Sequence, residues 1–232
     1  MIAPSDIKSF ALPRLLLLLS ATTGLVDAAS VLGLGKVFTA NMTGNVVFLG
    51  FAAVGTPGFK VLPAVMALFA FMVGAWCAGH LARAHAALPL RRWLLWAAVI
   101  EAALLWIAAA ISTKIDVAAQ TPEIAVLSVI ALTGFAMGLR NATVRSLKVP
   151  DLTTTVLTLT ITGIAADQTG GRSPNLKRRV GAILSIFAGA AVGALLLLQV
   201  GLAVPLLLAG GIVLGATLLF ARDPGFALPH AM

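Results

Sequence analysis

The sequence predicts an all-α integral membrane protein with about six transmembrane helices and two short re-entrant or broken helices, arranged as a 3+3 inverted repeat. Of its 232 residues, 60% are hydrophobic and 10% are charged, whereas a soluble domain carries about 25% charged residues. The apolar stretches are continuous and do not alternate, which favours helices over a β-barrel. The basic residues lie in short clusters between apolar runs, as topology determinants do, so the net charge of +8 does not indicate a nucleic-acid partner.

The first predicted repeat covers residues 1–115. Its apolar runs predict spans at about 15–34, 61–83 and 93–112, with a short helix at 43–55. The N-terminus imitates a signal peptide, but the apolar run continues past Asp27, so we expect no cleavage.

The second predicted repeat covers residues 116–232. We expect spans at about 124–144, 180–199 and 202–221, with a short helix at 152–166. A gap-free shift of 110 residues places residues 21–24 (ATTG) on 131–134 (ALTG), and residues 41–43 (NMT) on 151–153 (DLT). The two halves also share one order of elements: a long span, a short polar-headed helix and two long spans.

Charge selects between two topologies. If all eight apolar segments cross the bilayer, the basic clusters at 83–92 and 172–179 fall on opposite sides, against the positive-inside tendency. If the two short segments do not cross, both clusters and both termini lie on the cytoplasmic side. Each half then has three spans, and an odd number inverts the second half. Such inverted repeats with broken helices are a recurring transporter architecture.

The stretch from Thr39 to Asn45 opens the first short helix with polar residues inside an uncharged run. Lipid offers no partner for unwound backbone or a side-chain amide, so we expect this stretch to face protein or a cavity. Asn41, Thr43 and Asn45 are therefore candidates to line a binding site at the helix N-terminus. The alternative is simple N-capping by Asn41 or Thr43.

Asp27 lies about 18 Å along the first span by the helical rise, near mid-membrane. A carboxylate there is a functional candidate by default: it could be protonated in a transport cycle, bind a cation or hold the amides of the broken helix. The alternative is a structural hydrogen bond to the polar loop. At the head of the second short helix, Asp151, Thr153 and Thr154 are the corresponding candidates.

Arg140 and Asn141 lie near the inner end of the fifth element. Arg140 could bind an anionic substrate or pair with Glu101, although we expect it rather to snorkel to the interface. For Glu101 we favour an ion pair or a protonated carboxyl over a direct ligand. Small-xxx-small spacing in 189–193 and 211–215 predicts close helix packing, within the protomer or in a homo-oligomer.

Residues 24–28 (GLVDA) and 37–45 (VFTANMTGN) resemble the YoaK family of bacterial membrane proteins, which is defined as a domain of unknown function. Residues 138–142 (GLRNA) and 151–158 (DLTTTVLT) resemble the second signature of that family. The resemblance implies a multi-pass protein of the bacterial inner membrane, and it carries over no binding or catalytic residue.

Together these features favour a small secondary transporter or channel for a small polar or anionic solute, bound between two half-helix N-termini. Its expected partners are the lipid bilayer, the solute and a coupling ion. The alternative is a non-transporting scaffold that binds lipid or a partner protein. We expect no enzyme activity, cofactor or metal, because the three histidines lack metal-ligand spacing, no nucleotide loop is present, and the intramembrane acids are Asp27 and Glu101.

Overall fold

The computed structural model describes residues 4–84, 89–147, 157–166 and 176–222. Within these ranges the chain forms eight α-helices. They are α1 (Pro4–Gly33), α2 (Met42–Ala53), α3 (Val61–Ala84), α4 (Leu90–Ser112), α5 (Glu123–Ser146), α6 (Thr158–Ala166), α7 (Leu176–Val200) and α8 (Ala203–Phe220).

Six of these helices are long and apolar enough to cross a membrane: α1, α3, α4, α5, α7 and α8. The other two, α2 and α6, have 12 and 9 residues, which corresponds to about 18 Å and 14 Å of helix and is too short to span. The prediction of six spanning and two short helices is therefore confirmed. The inverted order of the two halves stays a prediction.

The start of α7 differs from the sequence prediction, whereas the turn before α8 agrees with it. Helix α7 begins at Leu176, because the basic residues at 177–179, which we expected in a loop, form its first turn. Lysine and arginine are good helix formers, so a basic cluster need not end a helix. The long uncharged run folds back at Gly201, as expected; its φ of +112° suits glycine, and its N–H bonds back to the carbonyls of Leu196 and Leu197.

Two pairs of parallel helices form the body of the bundle, and glycines bring each pair into close contact. Helix α3 packs along α5, and a Cβ on Gly138 would lie 2.1 Å from the carbonyl oxygen of Phe71. Helix α1 packs along α7, and a Cβ on Gly189 would lie 1.9 Å from the carbonyl oxygen of Ala21. Side chains at these crossings would force the backbones apart, so the small residues are required by the packing.

Helices α4 and α8 pack against each other in opposite directions and complete the bundle. Helix α4 also packs on α5, and α8 also packs on α1. The ring of Trp106 covers Gly210, and its Nε1–H donates to the carbonyl oxygen of Leu207 at 3.2 Å.

The charged residues separate into two ends of the bundle. One end joins the start of α1, the start of α4 and the end of α5 in a single apolar cluster. We call it the basic end, because it carries Arg14, Arg91, Arg92, Arg145, Lys177 and Arg178. The other apolar cluster joins the end of α1, the end of α4 and the start of α5. We call that the mixed end, because it carries Lys36, Lys60, Lys114, Asp116 and Glu123.

Candidate functional site

The segment between α1 and α3 enters and leaves the bundle at the mixed end. Helix α1 ends there at Gly33, α3 begins there at Val61, and α2 lies between them. Residues 37–41 run back along α1, because the backbone N–H of Ala40 donates to Oδ1 of Asp27 at 3.1 Å. The N-terminus of α2 therefore lies inside the bundle, at the level of Asp27.

Asn45 closes this reversal with its side chain. It is fully buried (0% exposed); its Oδ1 accepts the N–H of Phe38 at 2.9 Å, and its Nδ2 donates to the carbonyl oxygen of Phe38 at 2.6 Å. One buried side chain thus pairs both backbone groups of an unwound residue, at a depth where lipid offers no hydrogen-bond partner. Asn45 holds the loop and does not line the pocket described below.

Phe38 and Gly44 complete the turn. The Phe38 ring lies on the first turn of α2, where a Cβ on Gly44 would lie 2.5 Å from ring atom Cδ2. The same ring stacks on Phe48, with centroids 5.6 Å apart and planes 18° apart. The polar stretch is therefore built around an aromatic side chain.

Asn41 and Thr43 are the polar side chains of this stretch that stay accessible. Asn41 occupies the N-cap position of α2, but its side chain makes no capping hydrogen bond. Both residues are exposed. The side-chain capping that we weighed for Asn41 is not observed.

A pocket of about 570 Å³ opens beside these residues. It is lined from α1, from the reversal, from α2, from the head of α6 and from α7. The lining residues are Thr23, Gly24, Asp27, Phe38, Asn41, Thr43, Gly44, Val47, Phe48, Leu157, Thr158, Ile186 and Ala190. The structure thus brings Asp27, Asn41 and Thr43 together at the meeting point of the two short helices. Asp151, Thr153 and Thr154 lie outside the described residues.

Arg140 lies outside the pocket wall and is buried, with 2% of its surface exposed. Its Nη2 forms an ion pair with Oε1 of Glu101, which is 3% exposed. Its Nη1 donates to the carbonyl oxygen of Leu19 at 3.0 Å and to Oγ1 of Thr23 at 3.1 Å. The expectation that Arg140 snorkels is wrong, because partners on α4 and α1 satisfy its guanidinium inside the bundle. The neighbouring Asn141 donates to the carbonyl oxygen of Met137 at 2.9 Å.

The chemistry available at the pocket is hydrogen bonding and charge. An amide, hydroxyls and one carboxylate face the cavity. Within the part of the chain that the structure describes, no group of three or more His, Cys, Asp or Glu residues is placed to hold a metal ion. Thr23 and Thr158 were not among the predicted site residues; the signal for Thr23 is its match to Thr133 under the 110-residue shift.

Comparison with known proteins agrees with a membrane protein of this kind. A family model described as a protein of unknown function (DUF1275) matches residues 15–219. The UPF0700 transmembrane protein YoaK of Bacillus subtilis (strain 168) is 31% identical over 156 residues, which cover 67% of this chain and 67% of the relative. No solved structure matches the chain. The chain therefore belongs to the DUF1275 family of YoaK-like transmembrane proteins.

Proposed function

We propose that this protein is a small secondary transporter or channel whose solute binds in the pocket between the two short helices. One observation carries the proposal: a cavity of about 570 Å³ between the spans α1 and α7 and the two short helices is lined by Asp27, Asn41 and Thr43. Polar and ionisable groups within the membrane are costly and mark solute or ion pathways. The free N–H groups of the first turn of α2 add donors for a polar or anionic solute.

The packing of the helices supports an inverted repeat, the architecture on which the transport role depends. Under the predicted correspondence, α1 to α4 match α5 to α8. The α3–α5 contact then matches α7–α1, and α4–α5 matches α8–α1. The two parallel pairs run in opposite directions, as inversion requires.

Matched residues at these crossings also behave alike. Thr23 bonds to the carbonyl oxygen four residues earlier in α1, and its counterpart Thr133 does the same in α5. Gly24 lies against the backbone of α7, and its counterpart Gly134 lies against the backbone of α3. In transporters built from inverted repeats, one repeat moves against the other to open the binding site to each side in turn.

Solute flux into liposomes tests the proposal. The full chain would be reconstituted and supplied with chloride, nitrate, inorganic phosphate, glycerol or urea. We expect uptake of at least one solute, and we expect Thr43→Val and the double variant Asp27→Asn/Asn41→Ala to reduce it. Thr113→Val is the matched control, because Thr113 is exposed at the end of α4 and bonds to its own helix. Flux that the pocket variants leave unchanged would refute this site.

Labelling of single cysteines tests the topology in intact bacterial cells. In a Cys77→Ala background, we expect Lys60→Cys to react with an impermeant reagent from outside and Lys177→Cys to stay protected. This result would place the mixed end outside, the basic end in the cytoplasm and the protein in the inner membrane. If both positions react from outside, the two halves are not inverted and the proposed mechanism fails.

A second candidate function, a membrane scaffold that binds lipid or a partner, is favoured by one observation. A Cβ on Gly211 or Gly215 would meet nothing within 4 Å, so this small-residue face of α8 is open. Such a face lets another helix approach closely. This alternative would be favoured if the protein forms a stoichiometric complex that Gly211→Leu disrupts and if reconstituted protein shows no solute flux.

A further inference from the structure

A buried cation lies directly behind the wall of the pocket. Thr23 lines the pocket, and its hydroxyl accepts a hydrogen bond from Nη1 of Arg140 at 3.1 Å. One side chain therefore separates the solute space from a guanidinium. Arg140 is already paired with Glu101, and both residues are almost fully buried.

The far side of this ion pair meets a second, small cavity. Glu101, Arg140, Leu19 and Thr143 help to line it, and its volume is about 30 Å³, which is room for one or two water molecules. Apart from Ala97, the apolar residues around it belong to the cluster of the basic end or pack against it. The ion pair thus lies between the pocket and a cavity on the side of the basic end.

One N–H donor of the Arg140 guanidinium, at Nε, is unsatisfied among the described residues. A guanidinium presents five N–H donors in a fixed fork that suits two oxygens of one anion. An oxyanion or carboxylate that passes Thr23 would therefore find both a positive charge and an unsatisfied donor.

The positive charge of Arg140 and the negative charge of Glu101 neutralise each other at the small cavity. The small cavity is otherwise lined by apolar residues of α1, α4, α5 and α8 and by Thr143 and Thr217, so within the described ranges Arg140 and Glu101 are its charged groups. The next carboxylate is Asp27, beyond Thr23 in the pocket. An anion that replaces Glu101 beside Arg140 leaves the Glu101 carboxylate without a counter-charge in the membrane interior, where an unpaired charge is costly.

We propose that Arg140 and Glu101 form a proton-coupled binding site for a small monovalent anion, reached from the pocket past Thr23. The anion takes the place of the Glu101 carboxylate on Arg140, and the carboxylate takes up one proton from the bulk solution, which loses a hydronium ion; water in the small cavity relays the proton and is itself unchanged. The anion's charge replaces that of the carboxylate, an O–H bond forms on Glu101, and the site stays neutral. This inference rests on the proposed transport function and names its substrate class and coupling ion.

The test uses liposomes that contain the full chain and an internal pH dye. An inward gradient of chloride, nitrate, methanesulfonate or dihydrogen phosphate is applied, with urea as the neutral comparison. We expect at least one anion to acidify the lumen of wild-type liposomes. In Glu101→Gln, which keeps an acceptor for Arg140 but cannot exchange a proton, we expect acidification to be lost while tracer exchange of the anion continues. Glu123→Gln is the matched control, because Glu123 is exposed at the start of α5, and it should behave as the wild type.

A measurement on wild-type protein covers the case in which Glu101→Gln does not fold. In weakly buffered detergent solution, adding the transported anion should cause uptake of one proton per bound anion. If anion binding leaves the solution pH unchanged, or if Glu101→Gln acidifies as the wild type does, the coupling is refuted and the proposed function stands. If urea passes and no anion does, the substrate class is refuted alone. If no solute passes, the proposed function fails as well.

Discussion

Asn45→Ala should destabilise the protein far more than Asn41→Ala, although both residues belong to one polar stretch. Asn45 is fully buried and makes two hydrogen bonds to the backbone of Phe38. Asn41 is exposed, and its side chain makes no capping hydrogen bond. Alanine substitutions at the two positions should therefore distinguish the structural role of Asn45 from the pocket-lining role of Asn41.

The magnitude follows from the groups left unpaired. Without the Asn45 side chain, the N–H and the carbonyl oxygen of Phe38 lose their partners, and a buried unsatisfied group costs about 1–3 kcal/mol. The free energy of unfolding should fall by about 2–6 kcal/mol for Asn45→Ala. For Asn41→Ala the change should stay within about 0.5 kcal/mol, as is usual for exposed positions.

Unfolding in detergent, followed by circular dichroism, measures both changes. Asn45→Asp is a useful third variant: it keeps the acceptor for the Phe38 N–H and loses the donor to the Phe38 carbonyl oxygen, so its stability should also fall. In the flux assay, Asn41→Ala should reduce uptake at unchanged stability. Equal stability of the two alanine variants would show that Asn45 does not hold the reversal.

Two further predictions concern the packing of the bundle. Gly189→Ala should lower the unfolding temperature in detergent, because the new Cβ would lie 1.9 Å from the Ala21 carbonyl oxygen. Gly211→Ala is the control: its Cβ would meet nothing within 4 Å, so the unfolding temperature should stay unchanged or rise. An equal fall in the unfolding temperature of both variants would argue against the close crossing of α1 and α7. Glu101→Ala should cost about 3–5 kcal/mol by leaving the Arg140 charge unpaired. Adding Arg140→Met should recover much of the lost free energy of unfolding, because it removes the unpaired charge. A double variant no more stable than Glu101→Ala would contradict the explanation by an unpaired Arg140 charge.

The sequence predicts the spans well because a run of apolar residues reports burial in lipid directly. It also places Asp27, Asn41 and Thr43 near one another, since the polar start of a short helix must find partners at the depth of the preceding span. It cannot separate Asn41 from Asn45, whose side chains are chemically identical. Their roles differ because Phe38 folds back over Gly44 and presents its backbone to Asn45 alone.

Residues that act across helices are harder to predict for the same physical reason. Glu101 and Arg140 lie on different helices, and neither helix alone indicates which face meets the other, so the sequence also allowed Arg140 to snorkel. Gly189 and Gly211 both have small-xxx-small spacing, yet a Cβ would clash at the first and meet open space at the second. Spacing is a property of one helix, whereas contact needs a partner.

The predicted correspondence between the two halves is consistent with the packing of the helices but does not extend to the charged residues. The 110-residue shift matches Asp27 with Met137 and Arg140 with Ser30.

Under the proposed transport role, the two routes to the pocket therefore present unlike barriers. Towards the mixed end, Phe48 lies between the pocket and an outer cavity that Phe59 also lines. The Nζ atom of Lys36 lies 4.9 Å from the centroid of the Phe59 ring. Towards the basic end, the barrier is the Arg140–Glu101 ion pair. Opening the first barrier requires aromatic side chains to move, whereas opening the second requires the Arg140 charge to find a new partner, so a proton that binds Glu101 can control the second route.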